Sequence, residues 1–273
     1  MKSFLARRWM LSLATLVLGL ALAAAWWLGW SALQPVGLYS GWLLLALLLG
    51  LTFFNARKKL PFLPLLSTST WLQFHIYAGW LAVFVFGLHT GARLPRGPLE
   101  FLLWLGFVLV AASGGFGLWL SRWLPPRLAR SGESLVFERI PMLRHRLEEE
   151  TAALVRQADA ETKSTTLADF YLRVLGPYFT HIPALLAPLA GDDAEHHRVR
   201  LELASLRRFL NEREMAIADQ LGEFLETKRN LDFQLVGQRL LKLWLFAHIP
   251  LTYGLLVLVG AHGWLVLHYS HRL

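Results

Sequence analysis

The chain has 273 residues, of which 55% are hydrophobic and only 17% charged, and its formal charge is +8. It contains no cysteine, which excludes iron–sulfur clusters, covalent c-type haem, disulfides and sulfur-ligated zinc. The positive excess does not mark a nucleic-acid surface. Residues 122–241 hold 17 Lys/Arg against 18 Asp/Glu, whereas the rest of the chain holds 10 Lys/Arg and one acid, Glu100. The surplus therefore flanks apolar runs, as membrane-topology charges do.

Those runs predict an all-α integral membrane bundle of about five spans. The first covers Trp9 to Trp30, the second Tyr39 to Phe54 and the third Trp71 to Thr90. The fourth covers Leu99 to Leu120 and the fifth Leu243 to Tyr269. The second is short for about 30 Å of hydrocarbon. Trp9, Trp26, Trp27, Trp30, Trp71, Trp123 and Trp264 lie near span ends, where tryptophan anchors to the interface. The N-terminal stretch has the basic and apolar regions of a secretory signal, with an ALA-like site. Its apolar character continues to Leu33, so an uncleaved first span is expected.

Lys2, Arg7 and Arg8 precede span one. Arg57, Lys58 and Lys59 follow span two, and Arg122, Arg127 and Arg130 follow span four. Alternating spans put these groups on one side, with Arg93, Arg96 and Arg272 on the other. The positive-inside rule makes the first side cytoplasmic, with the C-terminus outside. The expected location is a bacterial inner membrane.

The domains read as 1–121 with four spans, 122–241 as a soluble helical insertion on the cytoplasmic side, and 242–273 with span five. Within the insertion, Pro125-Pro126, Pro141 and the GDD at 191–193 punctuate the chain. Residues 142–160 and 195–240 read as helices. Leu143, Leu147, Leu154 and Ala158 recur at helical spacing, as do Leu203, Leu206, Leu210, Ile217, Leu221, Phe224, Leu231 and Leu235. A shorter apolar segment runs from Asp169 to Ala187. An antiparallel hairpin is expected, its second arm running into span five. The insertion carries no dinucleotide fingerprint or Walker loop, and docking of a partner is its expected role.

The chemistry concentrates in four histidines. His75 and His89 bound one apolar segment, and His248 and His262 bound another with the same spacing of 14 residues. At about 100° per residue, the two members of each pair lie about 40° apart on one helix face, some 21 Å apart along the axis. Spans three and five run in the same direction, so His75 and His248 share the inner level and His89 and His262 the outer. Ionisable groups inside a bilayer are costly and tend to mark function. Two non-covalent b haems, each held between two imidazoles, would satisfy all four, with irons about 20 Å apart.

This pattern resembles cytochrome b of the bc-type quinol oxidoreductases. In that family, two parallel helices of a four-helix bundle each supply two histidines to two b haems. Ferric-reductase-type di-haem cytochromes share the arrangement. The likeness covers spans two to five. It implies His75 and His248 as ligands of the inner iron, and His89 and His262 as ligands of the outer. The chain differs in its 120-residue insertion and in lacking the helices and quinol-site motifs that follow in that family. No stretch of these 273 residues reads as the flavin or nicotinamide domain that is fused to ferric reductases.

An iron with imidazole on both faces has no open position, so electron transfer is the expected task. The expected partners are the quinone pool and a redox protein or complex, with no nucleic acid. The chain is expected to be an electron-transfer subunit rather than an enzyme alone. Gly79 and Gly87 would let a flat macrocycle approach span three. Gly106, Gly114, Gly115 and Gly117 on span four, and Gly254, Gly260 and Gly263 on span five, read the same way or as helix-packing positions. Gly37/Gly41 and Gly87/Gly91 have helix-packing spacing. Arg93 and Arg96 are candidate counter-charges for outer propionates, and Arg239, Lys242 or Arg122 for inner ones, unless all are topology charges. His145, His181, His196 and His197 read as solvated, and His268 and His271 as interfacial. None of the four methionines lies on span three or five. Two other readings stay open: a proton or ion translocator using the histidines as a relay, and a structural anchor.

Overall fold

The structure is a computed structural model and describes residues 2–56, 67–130, 136–185 and 193–270. Arg57, Lys58, Lys59, Asp192, His271 and Arg272 lie outside the described residues. The fold is 90% helical, with no strand among the described residues. Five helices are long and apolar enough to cross a membrane, which makes the chain a multi-pass membrane protein. Two compact units form: Met1–Leu118 with Phe246–Leu273, and Trp119–Leu245.

The first unit contains α1 (Lys2–Ser31), α2 (Val36–Ala56), α3 (Thr68–Thr90), most of α4 (Pro98–Arg130) and the last part of α9 (Glu212–Ser270). α3 starts at an N-cap, Ser67, whose hydroxyl accepts the Thr70 N–H at 3.3 Å. It stops just beyond His89, at Gly91 with φ 59°. Glycine reaches this left-handed conformation without a Cβ penalty. α2 packs most extensively against α3, and α1 also lies on α3. There Tyr77 donates to the Arg8 carbonyl at 3.1 Å and meets the Ser12 hydroxyl.

Leu44, Leu48, Leu81, Ala82, Val85, Phe107 and Leu255 form the interior of this bundle. Phe86 stacks on Phe107 with ring centres 3.9 Å apart. Much of the remaining apolar surface faces outward, including Trp9, Leu13, Trp27, Phe246 and Val257. Such an outer surface suits hydrocarbon and would be costly in water.

The second unit has its own core. It contains α5 (Ile140–Thr162), α6 (Thr166–Phe170), a π-helical turn (Tyr171–Leu175), α7 (Gly176–Thr180), α8 (Ala194–Leu206) and the first part of α9. Ion pairs give the course of the chain. Arg144 meets Asp232, while Glu161 meets Arg213, so α5 and α9 are antiparallel. Arg200 pairs with Glu226 and Arg207 with Asp219, so α8 and α9 are antiparallel too.

The expected hairpin is thus present but elaborated by α6, α7 and α8. The apolar residues picked out by spacing line its core: Leu147, Ala158, Leu203, Leu210, Ile217, Leu221, Leu231 and Leu235 are buried, with Leu143, Leu154, Leu206 and Phe224 packed against them. Each full burial of a leucine contributes roughly 1.5–3 kcal/mol.

Two local expectations fail. Pro125 and Pro126 lie inside α4, which continues to Arg130. Proline removes an amide donor and normally breaks a helix. Here Leu120 and Leu124 are fully buried with Val236, and Gly237 lets Leu124 and Leu128 lie close to the α9 backbone, so packing outweighs the lost bonds. The region 195–240 is also interrupted: α8 ends in a 3₁₀ turn (Arg207–Phe209), and Leu210 is extended before α9 begins.

Candidate functional site

α3 and the last part of α9 carry the four histidines. The rings of His89 and His262 lie with centres 6.4 Å apart and planes at 80°. His248 lies near enough to His75 to act on it electrostatically. The pairing is therefore 75 with 248 and 89 with 262, and the two helix segments are parallel. All four rings are half-buried.

The two levels are separated by an apolar layer. Ala82 lies midway between His75 and His89 in sequence, and Leu255 midway between His248 and His262; both are buried, at 2% and 3% exposure. Leu81, Val85 and Phe107 complete the layer.

Each level has a hydrogen-bond partner on a helix that carries no histidine of the set. His89 Nδ1 stands 3.0 Å from the Gly37 carbonyl and 3.3 Å from Ser40 Oγ, both on α2. His248 Nδ1 stands 2.7 Å from Ser113 Oγ on α4. His75 lies beside the Leu51 backbone on α2.

Glycines sit against the same rings. A Cβ at Gly41 would come within 3.0 Å of His89 Cε1, and one at Gly114 would lie 3.8 Å from His248 Cε1. Spacing alone had marked Gly37/Gly41 as a packing pair; the structure ties both to His89. Gly106 faces Leu255 instead, a helix-packing contact. A Cβ at Gly79, Gly87, Gly254, Gly260 or Gly263 would meet no atom within 4 Å.

Comparison with protein-family models, with curated proteins and with solved structures finds no match. The chemistry of the site must be read from its own residues.

Two imidazoles ligating one metal from opposite sides, with bonds of about 2 Å and roughly 1 Å from each nitrogen to its ring centre, have centres about 6 Å apart. The His89–His262 separation of 6.4 Å fits that requirement. Among the described residues, no three His, Asp or Glu side chains gather as a metal site. Two imidazoles per level suit a metal that brings its remaining ligands, as iron in a porphyrin does.

Arg93 and Arg96 are exposed in the connection between α3 and α4. The Arg96 backbone N–H donates to Glu100 at 2.9 Å. Lys242 is engaged with Glu138 at 3.0 Å and lies over the Phe137 ring, whereas Arg122 is exposed and Arg239 half-buried. His268 is exposed and stacks on Trp264.

One expectation about the second unit is corrected. His196 is not solvated but buried, between the Tyr178 hydroxyl at 3.0 Å and Glu226 at 3.2 Å. His145, His181 and His197 are exposed as expected. Beside His196, Lys228 and Arg144 converge on Asp232, and both cations also donate to the His181 carbonyl, at 3.2 and 2.7 Å. Burial, with Asp232 and three other carboxylates nearby, pushes the Tyr178 hydroxyl well above its ordinary pKa.

Sequence reasoning missed Ser40 and Ser113. Serine on an apolar helix is a weak signal, because a hydroxyl can bond its own helix backbone.

Proposed function

We propose that this chain is a membrane di-haem cytochrome b subunit that carries electrons across the membrane between a quinone pool and a redox partner. The observation that carries the reading is the matched pairing of histidines, 14 residues apart on two parallel helices. His75 and His248 would hold one haem, and His89 and His262 the other. The haem would supply a one-electron couple whose ligands need not move. Helices α3 and α9 hold the imidazoles in register, and the bundle shields them from water. The open position beside Gly79, one turn from His75 on the same helix face, suits a planar group. Arg93 and Arg96 are the candidate counter-charges for propionates at the outer level.

The apolar layer of Ala82, Val85, Phe107 and Leu255 favours this reading over a proton relay, which needs a continuous chain of polar groups or water. The charge pattern supports an N-terminus in the cytoplasm of a bacterium, a C-terminus outside, and a cytoplasmic helical unit that docks a partner.

The test is a reduced-minus-oxidised spectrum of purified protein with a count of extractable haem. Two haems per chain are expected. A colourless, fully folded protein expressed under haem-replete conditions would remove the proposal and leave the relay or anchor readings.

A further inference from the structure

We infer that Ser113 on α4 and the Gly37 carbonyl on α2 are positioning groups that hold His248 and His89 as Nδ1-protonated imidazoles, so that Nε2 of each ring does the ligating. The inference rests on the di-haem reading for the identity of the metal, but not for the tautomer.

The hydrogen-bond partners of the two rings point to the tautomer. Ser113 Oγ donates to the Val110 carbonyl at 2.8 Å. A hydroxyl has one hydrogen; directed to the Val110 carbonyl, as serine on a helix commonly directs it, it leaves the oxygen 2.7 Å from His248 Nδ1 as an acceptor. With the hydroxyl so directed, His248 Nδ1 carries the proton and the ring's lone pair is on Nε2. At the other level, His89 Nδ1 faces the Gly37 carbonyl at 3.0 Å. A carbonyl only accepts, so this Nδ1–H also donates. Ser40 Oγ, 3.3 Å from the same nitrogen, gives its own hydrogen to Val36 at 2.7 Å and does not compete. Two histidines on different helices, held by different neighbours, thus arrive at one tautomer.

Gly41 belongs to the same device. A Cβ there would press on His89 Cε1 at 3.0 Å, the ring atom between the two nitrogens. Its absence lets α2 come close enough for the Gly37 carbonyl to reach Nδ1. Gly50, on the same helix, meets nothing within 4 Å.

An acceptor on Nδ1–H raises the basicity of a ligating imidazole, and loss of such a partner typically costs 10–100-fold in metal affinity. A more basic ligand favours the ferric state and lowers the potential. The two acceptors sit on different helices, so each level can be perturbed separately.

The experiment uses the full-length protein in detergent. Ser113→Ala is expected to raise the midpoint potential of one haem, leave the other unchanged, and weaken retention of the affected haem about tenfold. Ser113→Thr, which restores the hydroxyl, is expected to return both values. Gly41→Ala is expected to shift the other haem, and Gly50→Ala neither.

Unchanged potentials in Ser113→Ala, or a Thr variant that behaves like Ala, would overturn the inference. So would equal effects of Gly41→Ala and Gly50→Ala, which remain informative if Ser113→Ala does not fold. A purely structural serine would lower the melting temperature without moving a potential. If the protein binds no haem, the functional proposal fails, but the tautomer is still decided by ¹⁵N-histidine NMR of the haem-free protein. Protonated Nδ1 at His248 upholds the inference, and protonated Nε2 overturns it.

Discussion

Both units bury polar side chains, but they do so in opposite ways. In the helical unit, the buried groups compensate one another: Asp232 answers Lys228 and Arg144, and His196 lies between Tyr178 and Glu226. In the membrane unit, half-buried imidazoles are held through Nδ1 at His89 and His248, and the His89 ring centre lies 6.4 Å from that of a second imidazole, His262. Two imidazoles facing each other offer no opposite charges to pair. The first arrangement is complete as a piece of structure. The second is the arrangement that the proposed haems would complete. Buried polarity alone is thus a poor guide to function, and whether it is mutually satisfied discriminates better.

The sharpest way to break this contrast is to remove one imidazole. His89→Ala is expected to lose one of the two haems entirely and His75→Ala the other, read from haem content and difference spectra. Loss of both from either variant, with the fold intact, would mean that the levels are not independent. Asp232→Ala makes the opposite case. It leaves Lys228 and Arg144 without their carboxylate, and a broken buried ion pair costs about 3–5 kcal/mol. Thermal unfolding is expected to show that loss, with haem content of the surviving folded protein unchanged.

Leu221→Ala, in the fully buried core of the same unit, is expected to cost about 2–5 kcal/mol, again without spectral change. The smallest effect concerns pH. Tyr178 holds its proton more tightly folded than unfolded. Its contribution is therefore complete below the ordinary tyrosine pKa near 10, and is lost as pH rises from there through the raised folded value. Melting temperatures measured toward alkaline pH should fall less steeply in Tyr178→Phe. An unchanged slope would show that this hydroxyl is not protected by burial.

Much of the architecture was legible in the linear pattern. Apolar runs marked all five spanning helices, because hydrocarbon tolerates little else over that length. Leu203, Leu221 and Leu235 lie in the helical core as their spacing requires, since a helix must bury its apolar stripe. Pro125-Pro126 misled, because a local rule about amide donors does not register the burial of Leu120 and Leu124. His196 misled because four histidines in a polar segment look alike until one of them packs against Tyr178.

At the candidate site, His75, His89, His248 and His262 stood out through their equal spacing, a property of one helix at a time. Ser113, Ser40, Gly37 and Gly41 did not, because their meaning depends on a neighbouring helix. What the sequence by itself determined is the helical class, the spans and the two matched histidine pairs, since each follows from periodicity and solvent preference along the chain. Only the tertiary structure decided how the facing rings are inclined to one another and which hydroxyl or carbonyl holds each ring. Those contacts depend on the rotation and register of one helix against another, and that is set by the packing of side chains far apart in sequence.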